Sequence, residues 1–216
     1  MTINLAPDHH PPIKLTDQER ALLAIARRVA EDSPDRSRKT GAVIVDESGQ
    51  IVTTGYNTLP LGVEPEDRYL VRPAKYDWTE HAERNAIFEA ARTPGKSTGG
   101  CEMIVPWFPC VQCARAIVQA GITRLVSPYP DVTDPNWGEE FKTALDILEK
   151  GKVKFDHFID DRPPPKPVAE GEHVEQVVRN DRLPAQAWID HWNCTQTLLV
   201  EEQEPSPAPK KSMRRR

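Results

Sequence analysis

Phe108-Pro109-Cys110-Val111-Gln112-Cys113-Ala114 is preceded by the apolar run Met103-Ile104-Val105 and followed by Ile117 and Val118 as far as Gly121, so the segment reads as a buried strand passing into a helix. Pro109 suits the start of that helix, because its missing amide hydrogen would have found no partner there. Cys110 and Cys113 stand at i and i+3, which puts both sulfurs on one side. A helix N-terminus carries about half a positive charge and favours thiolate over thiol. A second helix runs from Glu80 to about Ala91 with Ala86, Ile87 and Ala90 on one side, and His81 and Glu83 fall in its first turn.

Working outward, Thr16-Asp17-Gln18-Glu19 is a capping box opening a helix to about Glu31, with Leu22, Ile25, Ala26 and Val29 at helical spacing. Gly41–Val45 and Ile51–Asn57 are β-rich runs joined by the turn residues 46–50. Thr58 to Thr79 is a long connection containing Pro60, Gly62, Pro65 and Pro73, and loops of that length are usually functional. Thr123–Val126 is a strand, Trp137–Lys150 a helix and Val153–Phe155 a last strand. A hairpin followed by α-β-α-β-α-β alternation predicts an α/β protein, a three-layer α/β/α sandwich with a largely parallel second half. Ligands of such sheets collect at the carboxyl ends of strands, where both short motifs lie.

The chemistry of those motifs is specific. One imidazole (His81) and two thiolates (Cys110, Cys113) suit zinc, and a structural zinc would normally take four protein ligands, so three leave a position for water. Zinc lowers the pKa of such a water from about 15.7 towards about 7, roughly 12 kcal/mol of easier ionisation. Glu83, two residues from His81, points elsewhere on the helical wheel and suits a proton carrier beside the metal. Two blander readings compete: a Cys-x-x-Cys redox pair, and a structural zinc completed by Cys101. The second leaves Glu83 without a task.

Composition narrows the substrate and the compartment. The net charge of the 216-residue chain is −5; residues 1–160 hold 19 Lys/Arg against 24 Asp/Glu and residues 161–216 hold 9 against 9. A protein that grips long nucleic acid shows a basic stripe, so the acidic first part favours a small substrate over a stable polynucleotide complex. Four cysteines, two of them in Cys-x-x-Cys spacing, point to metal or redox use in a reducing compartment. With no basic-then-apolar N-terminus and no apolar run near the roughly 20 residues of a membrane helix, a cytoplasmic protein without membrane contact is expected. Of 21 prolines, eight follow position 160, where apolar periodicity thins. The expected organisation is a disordered tail over 1–14, one domain over 15–160, and a Pro-rich extension over 161–216 with one short helix at 185–200.

The motifs together resemble the cytidine and deoxycytidylate deaminase superfamily, closest to the deoxycytidylate (dCMP) deaminases. His81-Ala82-Glu83-Arg84-Asn85-Ala86-Ile87 is similar to the family's H-A-E-x-N-A-I helix, and the Phe108–Ala114 segment to its zinc helix. Thr40–Val45 resembles the first strand, and Gly55-Tyr56-Asn57 with Pro60 and Gly62 the G-Y-N-G-x-P-x-G segment. The resemblance implies a five-stranded mixed sheet in the order 2-1-3-4-5, and one catalytic Zn2+ per chain on His81, Cys110 and Cys113. It also implies proton transfer by Glu83, a sugar contact from Asn57 and a base contact from the backbone of Ala82. The reaction implied is hydrolytic deamination of dCMP to dUMP with release of ammonia, in a homo-oligomer. Arg38, Lys39, Arg72 and Lys75 are candidate phosphate ligands, and Tyr129 a candidate stacking residue. Thr58 departs from the usual Gly after Asn57, and the 58–79 segment lacks the Cys and His that hold a second zinc in some relatives. The alternatives are a deaminase of modified dCMP, dCTP or cytidine, a tRNA or single-stranded DNA editing deaminase, and a deaminase-like interaction module, the last disfavoured by the presence of Glu83.

Overall fold

The structure, a computed structural model, describes residues 11–160, 189–190 and 192–193. Among them, helix α1 (Asp17–Ala30) precedes the hairpin β1 (Gly41–Val45) and β2 (Ile51–Tyr56). The short helices α2 (Asp67–Leu70) and α3 (Lys75–Trp78) follow, then α4 (Ala82–Arg92), β3 (Glu102–Ile104), α5 (Val111–Gln119), β4 (Arg124–Pro128), α6 (Gly138–Lys150) and β5 (Lys154–Phe158). The sheet has the order β2-β1-β3-β4-β5. β1 is antiparallel to both β2 and β3, whereas β3, β4 and β5 run parallel. Fold class and strand order are as the sequence and the resemblance implied.

Alternation along the strands divides the core in two, since successive side chains leave a strand on opposite faces. Ala42, Ile44, Met103 and Leu125 join Ala82 and Ala86 of α4, Ala114 and Ile117 of α5, and Phe141, Ala144 and Leu148 of α6. Val43, Val45, Ile104, Val126 and Phe158 face the other way, onto Leu22, Leu23, Ile25, Ala26 and Val29 of α1. β1 is therefore buried along its whole length. The capping box is present: Thr16 Oγ1 accepts from Glu19 N at 3.1 Å, and Thr16 N donates to Glu19 Oε2 at 2.8 Å. Where β2 meets α4 there is no room for a side chain: a Cβ at Gly55 would lie 2.4 Å from both Ala82 O and Ala86 N, so β2 packs directly on the first turns of α4.

Three differences from the expected elements have physical reasons. The 58–79 connection carries α2 and α3, four residues each, too short for a helical period to show in sequence; Tyr69 and Trp78 stack across them with centroids 4.1 Å apart. β5 continues to Phe158 because it pairs with β4 throughout, to Pro128↔Phe158. The ordered frame also starts before residue 15: Ile13 donates its amide to His157 O at 2.8 Å on the free side of β5 and packs on the second core. Residues 1–10 lie outside the described residues, as does most of the extension, including Cys194 and most of the helix expected at 185–200. Ile189, Asp190, Trp192 and Asn193 are helical, with Ile189 and Trp192 against the second core.

Candidate metal centre and active site

The two chemistry-bearing segments meet where their helices begin. His81 is the N-cap of α4 and Cys110 the N-cap of α5, so both helices begin two residues later than the sequence suggested, at Ala82 and Val111. At an N-cap the side chain usually accepts from a first-turn amide. Neither does so here; both turn toward each other. His81 Nδ1 lies 3.5 Å from Cys110 Sγ and 3.5 Å from Cys113 Sγ. All three donor atoms fall within 4.8 Å of one another.

That geometry fits a metal. An ion held tetrahedrally at about 2.0–2.1 Å from nitrogen and about 2.3 Å from sulfur sets nitrogen and sulfur about 3.6 Å apart. The donor set is two thiolates and one imidazole, the ligands zinc prefers. Cys101, the fourth ligand of the structural-zinc alternative, is not in the group; it is buried at the start of β3, its thiol directed to Ser97 O at 3.4 Å.

The metal-free electrostatics agree. The Cys110 thiol is pulled down to about 4, first by its hydrogen bond with Cys113 and then by His81. Cys113 is pushed up, because its hydrogen bond to Cys110 and its burial hold the proton there. The pair thus shares one proton, and a divalent cation is the partner that allows both to ionise. Glu83 is 6% exposed, and burial pushes its carboxyl above the ordinary range. The charges of His81 and Cys110 both act on it, so it lies beside the ligand cluster.

Several contacts fix the start of α4. Thr58 and Glu80 form a two-way backbone bridge (Thr58 N to Glu80 O 3.0 Å, Glu80 N to Thr58 O 2.8 Å) one residue before His81. Asn85 Nδ2 donates to Tyr56 O at 2.8 Å. Arg84 pairs with Glu80. At α5, Glu140 of the neighbouring α6 accepts from Val111 N at 3.4 Å.

The zinc-binding region of the cytidine and deoxycytidylate deaminases matches residues 16–128. The chain belongs to this family. Deoxycytidylate deaminase of Homo sapiens is 38% identical over 143 residues, covering 63% of this chain and 77% of that protein. The enzyme of Enterobacteria phage T4 is 34% identical over 165 residues, 57% of this chain and 84% of that one. Among solved structures, dCMP deaminase from the cyanophage S-TIM5 in complex with dCMP and dUMP superimposes with a TM-score of 0.52 at 24% identity, over 67% of this chain and 100% of that chain, a likeness of fold. Family membership and the His81, Cys110, Cys113 group together fit one Zn2+ per chain.

Of the remaining residues expected at the deaminase site, Ala82 is fully buried at the first position of α4. Asn57 is 4% exposed with its amide in use: Oδ1 accepts from Thr40 N at 2.8 Å, while Nδ2 donates to Arg38 O at 2.9 Å and Asp35 Oδ2 at 3.3 Å. It ties the 33–40 loop to the end of β2. Lys75 is buried against Asp35 at 2.8 Å and bonds Ser37, so it braces the same loop and does not face solvent. Lys39 Nζ donates to Glu31 O at 2.9 Å, closing α1. Arg72 lies over Tyr76 at 5.9 Å, on the exposed 58–79 segment. Tyr129 packs on Phe155 and His157 at 6.2 and 5.0 Å. Sequence reasoning missed Ser33, Asp35, Trp107 and Glu140. Ser33 and Asp35 sit in a Ser-Pro-Asp stretch that reads as an ordinary turn.

Proposed function

We propose that the protein catalyses hydrolytic deamination of dCMP to dUMP with release of ammonia. The observation that carries the reading is the convergence of an imidazole, two thiols and a buried carboxyl at the starts of α4 and α5, in a family whose curated relatives include deoxycytidylate deaminases. His81, Cys110 and Cys113 hold the metal. Zinc, when bound, supplies a Lewis acid that lowers the pKa of the water it holds towards about 7.

Glu83 does the proton work. The carboxylate accepts the proton of the water whose oxygen bonds to C4 of the cytosine ring and passes it to ring N3. It then takes the remaining proton from the oxygen now on C4 and passes it to the amino group, so that the C4–N bond breaks as the C4=O bond forms and ammonia leaves. Its burial suits this task, because a carboxyl raised above the ordinary range takes a proton more readily than a solvated one and can return it. The buried backbone of Ala82 beside it borders the base. Asn57 shapes the sugar side through the loop it pins.

The same reading includes a domain over 15–160, a cytoplasmic location, supported by thiols that need reducing conditions, and association of several copies. Leu61, Val71, Tyr76 and Trp78, 39–81% exposed on the 58–79 segment, are the apolar surface that supports association. Among the described residues no helix is long and apolar enough to cross a membrane.

An ammonia-release assay over dCMP, dCTP, CMP, deoxycytidine and methylated dCMP tests the substrate. dCMP is expected to give the highest kcat/KM, and equal efficiency with deoxycytidine overturns the monophosphate reading. Glu83→Gln should keep its zinc and lose about 10²- to 10⁴-fold in kcat. Full activity in that variant removes the mechanism.

A further inference from the structure

Arginines in this acidic chain are almost all matched with acids. Arg27 with Asp160, Arg36 with Asp67, Arg84 with Glu80, and Arg124 with Glu19, Glu102 and Asp156 are examples. Among the described residues only Arg38 and Arg72 have a guanidinium with neither a hydrogen bond nor an ion pair, and Arg72 belongs to the exposed 58–79 segment. Arg38 stands at the catalytic edge. β1 and β3 pair Val43↔Ile104, Ile44↔Met103 and Val45↔Glu102, so continuing that register outward sets Thr40 level with Trp107. Trp107 precedes the ligand Cys110 by three residues, at most about 11 Å of extended chain. Arg38 Cζ rests 4.1 Å from the centroid of the Trp107 ring.

The way Arg38 is held is informative. Its backbone is fixed on both sides, the amide donating to Asp35 Oδ1 at 3.1 Å and the carbonyl accepting from Asn57 Nδ2 at 2.9 Å. Its side chain is kept in place by an aromatic face, which orients a guanidinium without neutralising it or occupying its in-plane N–H donors. A carboxylate partner would do both. The result is a positioned, fully charged fork with all five donors available, the geometry that matches a phosphate bidentately.

Resting on the dCMP reading above, we propose that Arg38 receives the 5′-phosphate of the substrate and sets the preference for a monophosphate over a nucleoside, with Trp107 as the residue that positions it. The buried Asp35–Lys75 pair and Asn57 serve this placement from below, by fixing the loop.

The test compares dCMP with deoxycytidine in the zinc-loaded protein. Arg38→Ala should raise KM for dCMP about 10- to 100-fold, the loss expected when charged hydrogen bonds to a phosphate are removed, with a smaller change in kcat. The ratio of kcat/KM for dCMP to that for deoxycytidine should fall by the same factor. Arg38→Lys, which keeps the charge and loses the fork, should recover part of it. Trp107→Leu should lower the ratio about two- to fivefold. Inorganic phosphate should inhibit the unaltered protein more than Arg38→Ala. Arg38 is exposed, so its truncation leaves no buried group unpartnered; melting temperature and zinc content verify the fold. An unchanged ratio in Arg38→Ala, or an equal loss on both substrates, overturns the assignment while leaving dCMP deamination standing. An unchanged ratio in Trp107→Leu overturns the positioning role. If the unaltered protein converts no cytosine compound at all, the functional reading fails first.

Discussion

Two groups of polar residues lie at one edge of the sheet and are built in opposite ways. The ligand cluster takes His81 and Glu83 from the first turn of one helix and Cys110 and Cys113 from another, so each half is encoded within four residues. The brace beneath the 33–40 loop takes Ser33, Asp35, Asn57 and Lys75 from three separate stretches. Ser33 Oγ donates to Asn57 O at 2.6 Å, Asp35 Oδ1 accepts from Ser37 N at 2.8 Å, and Lys75 Nζ closes the network on Asp35. The first group gathers the metal-binding donors and a buried carboxyl, and the second is fully partnered. A cluster of donors that face one another thus stands beside a network whose polar groups hold the neighbouring loop in place.

Breaking the ligand cluster has the largest expected effect. Cys113→Ala leaves two ligands where a tetrahedral catalytic ion needs three from the protein. Bound zinc per chain should fall from one towards zero and deamination to background, measured by metal analysis and ammonia release. Retention of stoichiometric zinc would show that the cluster has been assigned wrongly.

Next in size is the brace. Lys75→Met leaves the Asp35 carboxylate buried and unpaired, and breaking such a pair by removing one partner costs about 3–5 kcal/mol. Denaturant unfolding should show that loss. Asp35→Asn combined with Lys75→Met should be milder than Lys75→Met alone, because no buried charge remains. If the single variant unfolds at the same denaturant concentration as the unaltered protein, the loop is held by Asn57 without help from the ion pair.

These two groups also mark how far the sequence could be read. Period and caps were visible: the Thr16–Glu19 box, the β-rich run of β1, and the helix starts near His81 and Cys110 all depend on neighbours a few residues apart. The ligand set was legible for the same reason. Lys75 was not, because its partner stands forty positions earlier, and a lysine in a Pro-containing connection looks solvated. Arg38 and Trp107 meet only because β1 and β3 are antiparallel, a pairing that no local pattern states. Strand pairing over long separations is likewise what extended β5 to Phe158 and gave Ile13 a place.

Acid should separate the brace from the rest of the fold less sharply. Burial pushes the carboxyls of Glu19, Asp35 and Asp156 up, but their hydrogen bonds outweigh it and hold all three below the ordinary carboxylate range: Thr16 and Arg124 for Glu19, Lys75 and Ser37 for Asp35, Lys154 and Arg124 for Asp156. A carboxyl lowered on folding contributes stability that is complete above its unfolded value near 4 and disappears as pH falls through the folded value. The melting temperature should therefore hold steady from neutrality to about pH 5 and drop below about pH 4. In Lys75→Met that acid-dependent drop should shrink, since Asp35 is no longer held low. An identical profile in both proteins would assign the acid sensitivity to the Arg124 cluster alone.

The smallest effect belongs to a contact outside the matched region. Trp192 Nε1 donates to Gly49 O at 2.9 Å in the β1–β2 turn, and Asn193 takes Ile51 N at 2.8 Å on its Oδ1 while Gln50 Nε2 donates to Asn193 O at 3.0 Å. β2 is the edge of the sheet, and an edge strand presents unpaired backbone groups that recruit other strands. The Asn193 side chain occupies two such groups, the N–H and the C=O of Ile51, from within the same chain. Asn193→Ala should cost about 1 kcal/mol, the usual net worth of a hydrogen bond, and should leave dCMP kinetics unaltered because the hairpin turn lies at the opposite end of β2 from Asn57. A change in kcat/KM would mean that the extension reaches the active-site edge as well as the hairpin.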